Sequence, residues 1–153
     1  MSILRRKSAS TALATIDRQE RVLLCRIHGE SSWQPVKARV MPLRPSRFSA
    51  IQVVDPIFSH WFLASTPVIG RFFSVPERGG QPGLMRIFVT RHDRMTPISL
   101  RARPHTSLNA DYAWHPLSDV ENEDFNVRPR ELGPFLRGYL EGWIPDGVIT
   151  LVE

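Results

Sequence analysis

Residues 11–27 read Thr11-Ala12-Leu13-Ala14-Thr15-Ile16-Asp17-Arg18-Gln19-Glu20-Arg21-Val22-Leu23-Leu24-Cys25-Arg26-Ile27. Thr11, Leu13 and Thr15 alternate, and the run Val22-Leu23-Leu24-Cys25 follows after four polar residues. Two apolar runs joined by the tetrad Asp17-Arg18-Gln19-Glu20 predict a β-hairpin over 11–16 and 21–27. Working outward, residues 1–10 form a basic N-terminal arm, and His28 to Ser46 is loop-like, with Gly29, Pro35, Pro42 and Pro45. From Ser46 a short helix is expected, capped by Ser46, with Phe48, Ile51 and Val54 at threefold spacing, and ended or kinked by Pro56. The aromatic run Ile57 to Leu63 is expected to pack as core or to cover a sheet edge.

Three further strands are predicted at Val68–Val75, Leu84–Thr90 and Pro97–Arg103, with 76–83 as the loop of a hairpin between the first two. Tyr112 to Leu117 reads as a short strand running into a turn. After Pro129, Leu132, Phe135, Leu136, Tyr139 and Leu140 share one helical face. Pro134 fits only the first turn, so this helix begins near Gly133. Val148 to Val152 is a last strand or a tail. Strands interspersed with helices make the fold class α/β, and 153 residues hold one core but not two ordinary domains.

The charge is uneven. Residues 1 to 105 carry 17 basic and 6 acidic residues, a net of +11; residues 106 to 153 carry 3 basic and 9 acidic, a net of −6. Eighteen of the twenty basic residues are arginine, the better bidentate donor to phosphate and carboxylate. Such a distribution suits a nucleotide or phosphorylated small molecule, nucleic acid, or an acidic protein partner. A genome rich in arginine codons, or neutralisation of one half by the other, explains the same count without a ligand. The single cysteine, Cys25, excludes an internal disulfide framework or a cysteine-based zinc cluster, and its apolar setting predicts a buried, inert thiol. The chain has no apolar stretch of membrane-spanning length and only a poor secretory signal, so a cytoplasmic protein with no membrane partner is expected. Oligomeric state is left open.

The order of these pieces resembles the Nudix (MutT-like) family. Arg21-Val22-Leu23-Leu24-Cys25-Arg26 is similar to that family's early strand, and Trp33 with Pro35 to its tryptophan and proline. Gly70-Arg71-Phe72-Phe73 and Met85 to Thr90 resemble its paired central strands. Asp111 to Leu117 resembles its tryptophan-containing strand before the final helix. The likeness runs over about residues 11 to 141, and implies residues 11–153 as a single Nudix-like domain, a mixed β-sheet sandwiched by helices. In that family a glycine-opened loop after the tryptophan leads into a helix bearing catalytic and metal-binding glutamates. Counted from Trp33, the box glycine falls at Ala38 and the first glutamate at Arg44. Gln52 then stands at the motif arginine, Val53 at the catalytic glutamate, and Pro56 and Ile57 at the metal-binding pair; Asp55 occupies a free position.

Magnesium takes hard oxygen ligands, and diphosphate hydrolysis needs an activated water. Valine, proline and isoleucine supply neither. The resemblance therefore implies a degenerate Nudix box in a pseudoenzyme: a non-catalytic domain that binds a phosphate-containing ligand or an acidic partner, with no cofactor. Arg39, Arg44, Arg47, Arg86 and Arg91 are the candidate ligand-binding residues. One alternative is a nucleoside diphosphate-type hydrolase using Mg or Mn on relocated acids such as Glu77, Asp93, Glu121 or Glu123. Another is a nucleic-acid-binding or assembly protein with an arginine-rich face drawn from the arm and from Arg39, Arg44, Arg47, Arg86, Arg91, Arg101 and Arg103, with Phe72 or Phe73 stacking if exposed.

Other chemistry is thinly represented. Asp119, Glu121, Glu123 and Asp124 match no calcium loop and read as a solvated acidic loop. The five histidines include no His-x3-His pair; His92 beside Asp93 is the best acid/base suspect. No phosphate-cradling glycine loop and no nucleophile elbow occurs.

Overall fold

A computed structural model describes residues 10–37, 40–42, 50–53, 63–65, 68–74, 83–92, 110–145 and 147–151. The predicted hairpin is present as β1 (Ser10–Asp17) and β2 (Arg21–Ile27). Asp17 organises its turn. The carboxylate accepts from the amides of Gln19 (3.0 Å) and Arg21 (2.8 Å) and pairs with the Arg21 guanidinium at 2.7 Å. Asp side chains favour such local bonds over regular pairing, which is why they punctuate strands.

The hairpin then splays. β1 and β2 pair only beside the turn, at Ile16 and Val22, and β3 (Gln34–Lys37) inserts between them. It sets Leu13 opposite Val36 on one side and Leu24 opposite Pro35 on the other. The expected loop from His28 to Ser46 is thus corrected: it contains β3 and also β4 (Val40–Pro42). Pro35 and Pro42 argue locally against strands, and non-local partners overrode that preference.

The helix expected from Ser46 is corrected as well. Ala50–Val53 is β5, paired antiparallel with β4 and with β6 (Leu63–Ser65) in a three-stranded sheet. Two of its four residues, Ile51 and Val53, are β-branched, and a strand suits them better than a helix turn. Gln52 and Val53, which counting placed on a signature helix, are therefore strand residues; Phe48, Val54, Pro56 and Ile57 lie outside the described residues.

β7 (Val68–Ser74) and β8 (Gly83–His92) form the second predicted hairpin, antiparallel from Ile69–Phe88 to Ser74–Gly83. β8 runs parallel to β1 over its whole length, from Ser10–Met85 to Asp17–His92. β9 (Ala110–Pro116) pairs antiparallel with β2 and leads directly into α1 (Leu117–Val120). α2 (Leu132–Glu141) follows, and β10 (Gly147–Thr150) returns parallel to β7. The seven-stranded mixed sheet has the order β10-β7-β8-β1-β3-β2-β9. The strand expected at Pro97–Arg103 lies outside the described residues.

Strand periodicity divides this sheet into two faces. On one, Ala12, Ala14, Ile16, Val22, Leu24, Phe72, Met85, Ile87 and Val89 form a core with Leu132, Phe135 and Leu136 of α2 and Leu117 and Val120 of α1. The predicted helical stripe is the one that docks. Gly133 lets α2 press onto α1, since a Cβ there would sit 2.8 Å from backbone atoms of Val120 and Glu121. Gly142 ends α2 in the left-handed conformation, at φ 77°. The other face buries Leu13, Leu23, Cys25, Val36 and Phe88 at its centre and opens to solvent at the β10-β7-β8 corner.

Candidate functional site

That open corner is where strand register assembles a group of polar and cationic side chains. Arg71 of β7 lies directly opposite Arg86 of β8. Arg71 also faces Thr150 of β10, and Arg86 faces Thr11 of β1. Thr150, Arg71, Arg86 and Thr11 therefore form one transverse row across four strands, all on the face opposite α2. The Arg71 Nη2 donates to Thr150 Oγ1 at 3.0 Å, which draws its guanidinium toward the β10 edge. Two residues along β7 on the same face, Phe73 is 59% exposed, and Val148 of β10 is 56% exposed.

Like charges directly opposite on adjacent strands are unfavourable, because their Cβ atoms stand about 4.5–5.5 Å apart. Among the described residues no carboxylate pairs with Arg71 or Arg86. The arrangement places two guanidiniums side by side, both donors to an anion. Phosphate and carboxylate accept in the geometry that such forks present.

Three other arginines among the described residues are engaged. Arg137 of α2 donates from Nε to Glu121 Oε1 at 2.6 Å and from Nη1 to Glu20 Oε2 at 3.1 Å. Those two carboxylates raise the Arg137 pKa further above its already high value. Arg26 lies over the Trp33 ring, 4.8 Å from its centroid, and contacts Asp111 at 3.3 Å. Hydrogen bonds from His28 and then Arg26 hold the Asp111 carboxyl below its ordinary value. Arg91, from the opposite face of β8 to Arg86, sits 5.5 Å from the Tyr139 ring centroid of α2.

The structure therefore separates the candidate ligand-binding residues. Arg86 belongs to the open row and Arg91 to the α2 side, whereas Arg39, Arg44 and Arg47 lie outside the described residues, as do Arg101, Arg103 and residues 1–9 of the arm. Arg71 was not among the candidates. The Arg71-x-Phe73 alternation was visible in the sequence, but its pairing with Arg86 depends on register.

Of the four relocated acids, Glu121 and Glu123 lie on the helix side of the sheet. Glu121, Glu123 and Asp124, with Arg130 and Glu131, line an open cleft of about 760 Å³ beside α1 and α2. Glu121 is already engaged by Arg137. Among the described residues no three His, Cys, Asp or Glu side chains are grouped to hold a metal ion. Glu77 and Asp93 are outside the described residues; His92 ends β8.

Cys25 is buried and His115 partly buried. Cys25 is buried with its Sγ 3.8 Å from the Pro35 carbonyl, and desolvation pushes the thiol up to about 11, which makes it inert at neutral pH. The His115 ring stands edge-on between Trp33 (4.5 Å between centroids) and Phe125 (5.1 Å), with its Nε2 buried and unpartnered. Desolvation lowers the His115 pKa. No helix among the described residues is long and apolar enough to cross a membrane.

No protein-family model matches the chain, and no curated protein sequence matches it. Among solved structures, the chain is similar to the crystal structure of the C. elegans Ap4A hydrolase, with a TM-score of 0.56 and 16% sequence identity over 89% of this chain and 98% of that one. A mixed seven-stranded sheet, flanked by helices and superposable on that hydrolase along nearly its whole length, gives this chain the α/β sandwich fold of the Nudix type.

Proposed function

We propose that this protein is a non-catalytic, Nudix-like binding domain whose ligand is phosphate-containing and sits on the row formed by Arg71 and Arg86. The observation that carries this reading is the cross-strand arginine pair, which stands without a carboxylate partner among the described residues while Arg137 and Arg26 are matched to acids. A fold tolerates an unfavourable local arrangement most readily where a ligand completes it. The residues at the counted box positions support the same reading. Val53 stands where the family resemblance calls for a catalytic glutamate, and Glu121 and Glu123 lie across the sheet from the row. Fold alone does not carry the hydrolase reaction of the Ap4A hydrolase to this chain.

The test is binding of inorganic pyrophosphate, nucleoside diphosphates and Ap4A, by calorimetry, with hydrolysis followed in the same samples with magnesium or manganese. Saturable binding without turnover is expected, weakened about tenfold or more in Arg71→Gln and Arg86→Gln, since each charge-assisted hydrogen bond contributes about 1.5–3 kcal/mol. Hydrolysis abolished by a chelator would overturn the non-catalytic part of the proposal. Binding unchanged in both variants would overturn the site.

A further inference from the structure

We infer that the open corner of the sheet is a platform for single-stranded nucleic acid, on which Arg71 and Arg86 hold the backbone and Phe73 stacks on a base. This rests on the phosphate-binding reading above and narrows its ligand. A lone exposed phenylalanine is ordinary on a protein surface and carries nothing by itself. What distinguishes Phe73 is its position: it is on the same strand and face as Arg71, two residues away. At about 3.3–3.4 Å per residue, the two side chains leave the sheet roughly 7 Å apart. A phosphate on the arginine row thus leaves an adjoining base within reach of the ring.

The shape of the site favours a strand over a small molecule. Arg71, Arg86 and Phe73 stand on an exposed sheet face, where the row crosses from β10 to β1 and stays open to solvent at its centre. Small ligands are held in concave sites that bury most of their surface. Extended single strands are held by cationic tracks with interleaved aromatic rings, because every base has a face to stack. The net charge of +5 adds long-range attraction for a polyanion. A duplex offers the same phosphates but keeps its bases stacked inside, so Phe73 discriminates against it. An acidic peptide offers charge without a ring system of comparable area.

The experiment uses the full chain and fluorescence anisotropy with a labelled short single-stranded oligonucleotide, an abasic strand of equal length, the corresponding duplex, and an acidic peptide. The base-bearing strand is expected to bind most tightly. Phe73→Ala should weaken it about tenfold, toward the abasic level, while leaving the abasic strand unchanged. Arg71→Gln and Arg86→Gln should weaken both strands, and neutralisation of two phosphates should give a log–log salt slope of about −1.4. Phe73 is exposed, so its replacement leaves the fold intact. Equal binding of abasic strand and oligonucleotide, insensitivity to Phe73→Ala, or preference for the duplex or the peptide would overturn this inference. If pyrophosphate still binds on Arg71 and Arg86 in that case, the phosphate reading stands alone; if no phosphate-bearing probe binds there, both fail.

Discussion

The two faces of the sheet treat arginine in opposite ways. On the α2 side, Arg137 joins Glu121 and Glu20, Arg26 joins Asp111 and Trp33, and Arg91 lies beside Tyr139. Each of these three cations has a carboxylate or an aromatic ring, and the helices cover the apolar core. At the open corner, Arg71 and Arg86 face each other, and among the described residues Arg71 donates to the Thr150 hydroxyl and pairs with no carboxylate. The lesson is that one residue type serves architecture on one face and remains available on the other. The difference was set by which strands became neighbours.

The largest expected effect tests the sealed face. Leu136 is fully buried between α2 and the sheet, so Leu136→Ala should destabilise by about 2–5 kcal/mol. Urea denaturation checks this, and Phe73→Ala on the open face should change stability by less than about 0.5 kcal/mol. Equal losses would erase the distinction between the faces.

Gly133→Ala comes next. Its Cβ would meet backbone of α1, which cannot swing aside as a side chain can, so a loss of about 1–3 kcal/mol is expected in the same assay. A neutral result would mean that α1 and α2 separate easily.

His115 should produce a smaller, pH-dependent effect. Its folded pKa lies below the ordinary 6.5, because burial disfavours the charged ring. The unfolded chain therefore binds the extra proton first as pH falls, so this contribution is complete above pH 6.5 and is lost progressively below it. His115→Phe should flatten that part of the stability–pH curve. An unchanged slope would assign it to another group.

The smallest effects have opposite signs and sharpen the comparison most. Arg137→Gln removes two ion pairs and should lower stability by up to about 1 kcal/mol, whereas Arg86→Gln removes a like-charge neighbour and should raise it by a few tenths, about 0.2–1 kcal/mol. Ligand-free chemical denaturation of both variants decides it. Loss of stability in Arg86→Gln would mark Arg86 as structural.

Much of the architecture is legible locally. The alternation in Thr11-x-Leu13-x-Thr15, the punctuation by Asp17 to Glu20 and the helical stripe from Leu132 to Leu140 each report a period that a short window contains. The same windows misread Ala50–Val53 as helix and His28 to Ser46 as loop. There, threefold spacing and prolines gave the local signal, and strand partners distant in the chain decided otherwise. The candidate site follows the same division. Arg86 was one of five candidate arginines in the sequence, but Arg71 became its neighbour only through register.

By itself, then, the sequence determined an α/β chain with two hairpins, one docking helix, an inert buried thiol, an arginine-rich charge asymmetry and no acids at the counted box positions. Tertiary structure alone decided that β3 divides the first hairpin, that β1 and β8 run in parallel, and that Arg71 and Arg86 lie side by side while Glu121 and Glu123 sit across the sheet. The physical reason is that periodicity is a property of a few consecutive residues. Pairing between strands some seventy residues apart is settled by which arrangement buries the most apolar surface with its backbone groups satisfied.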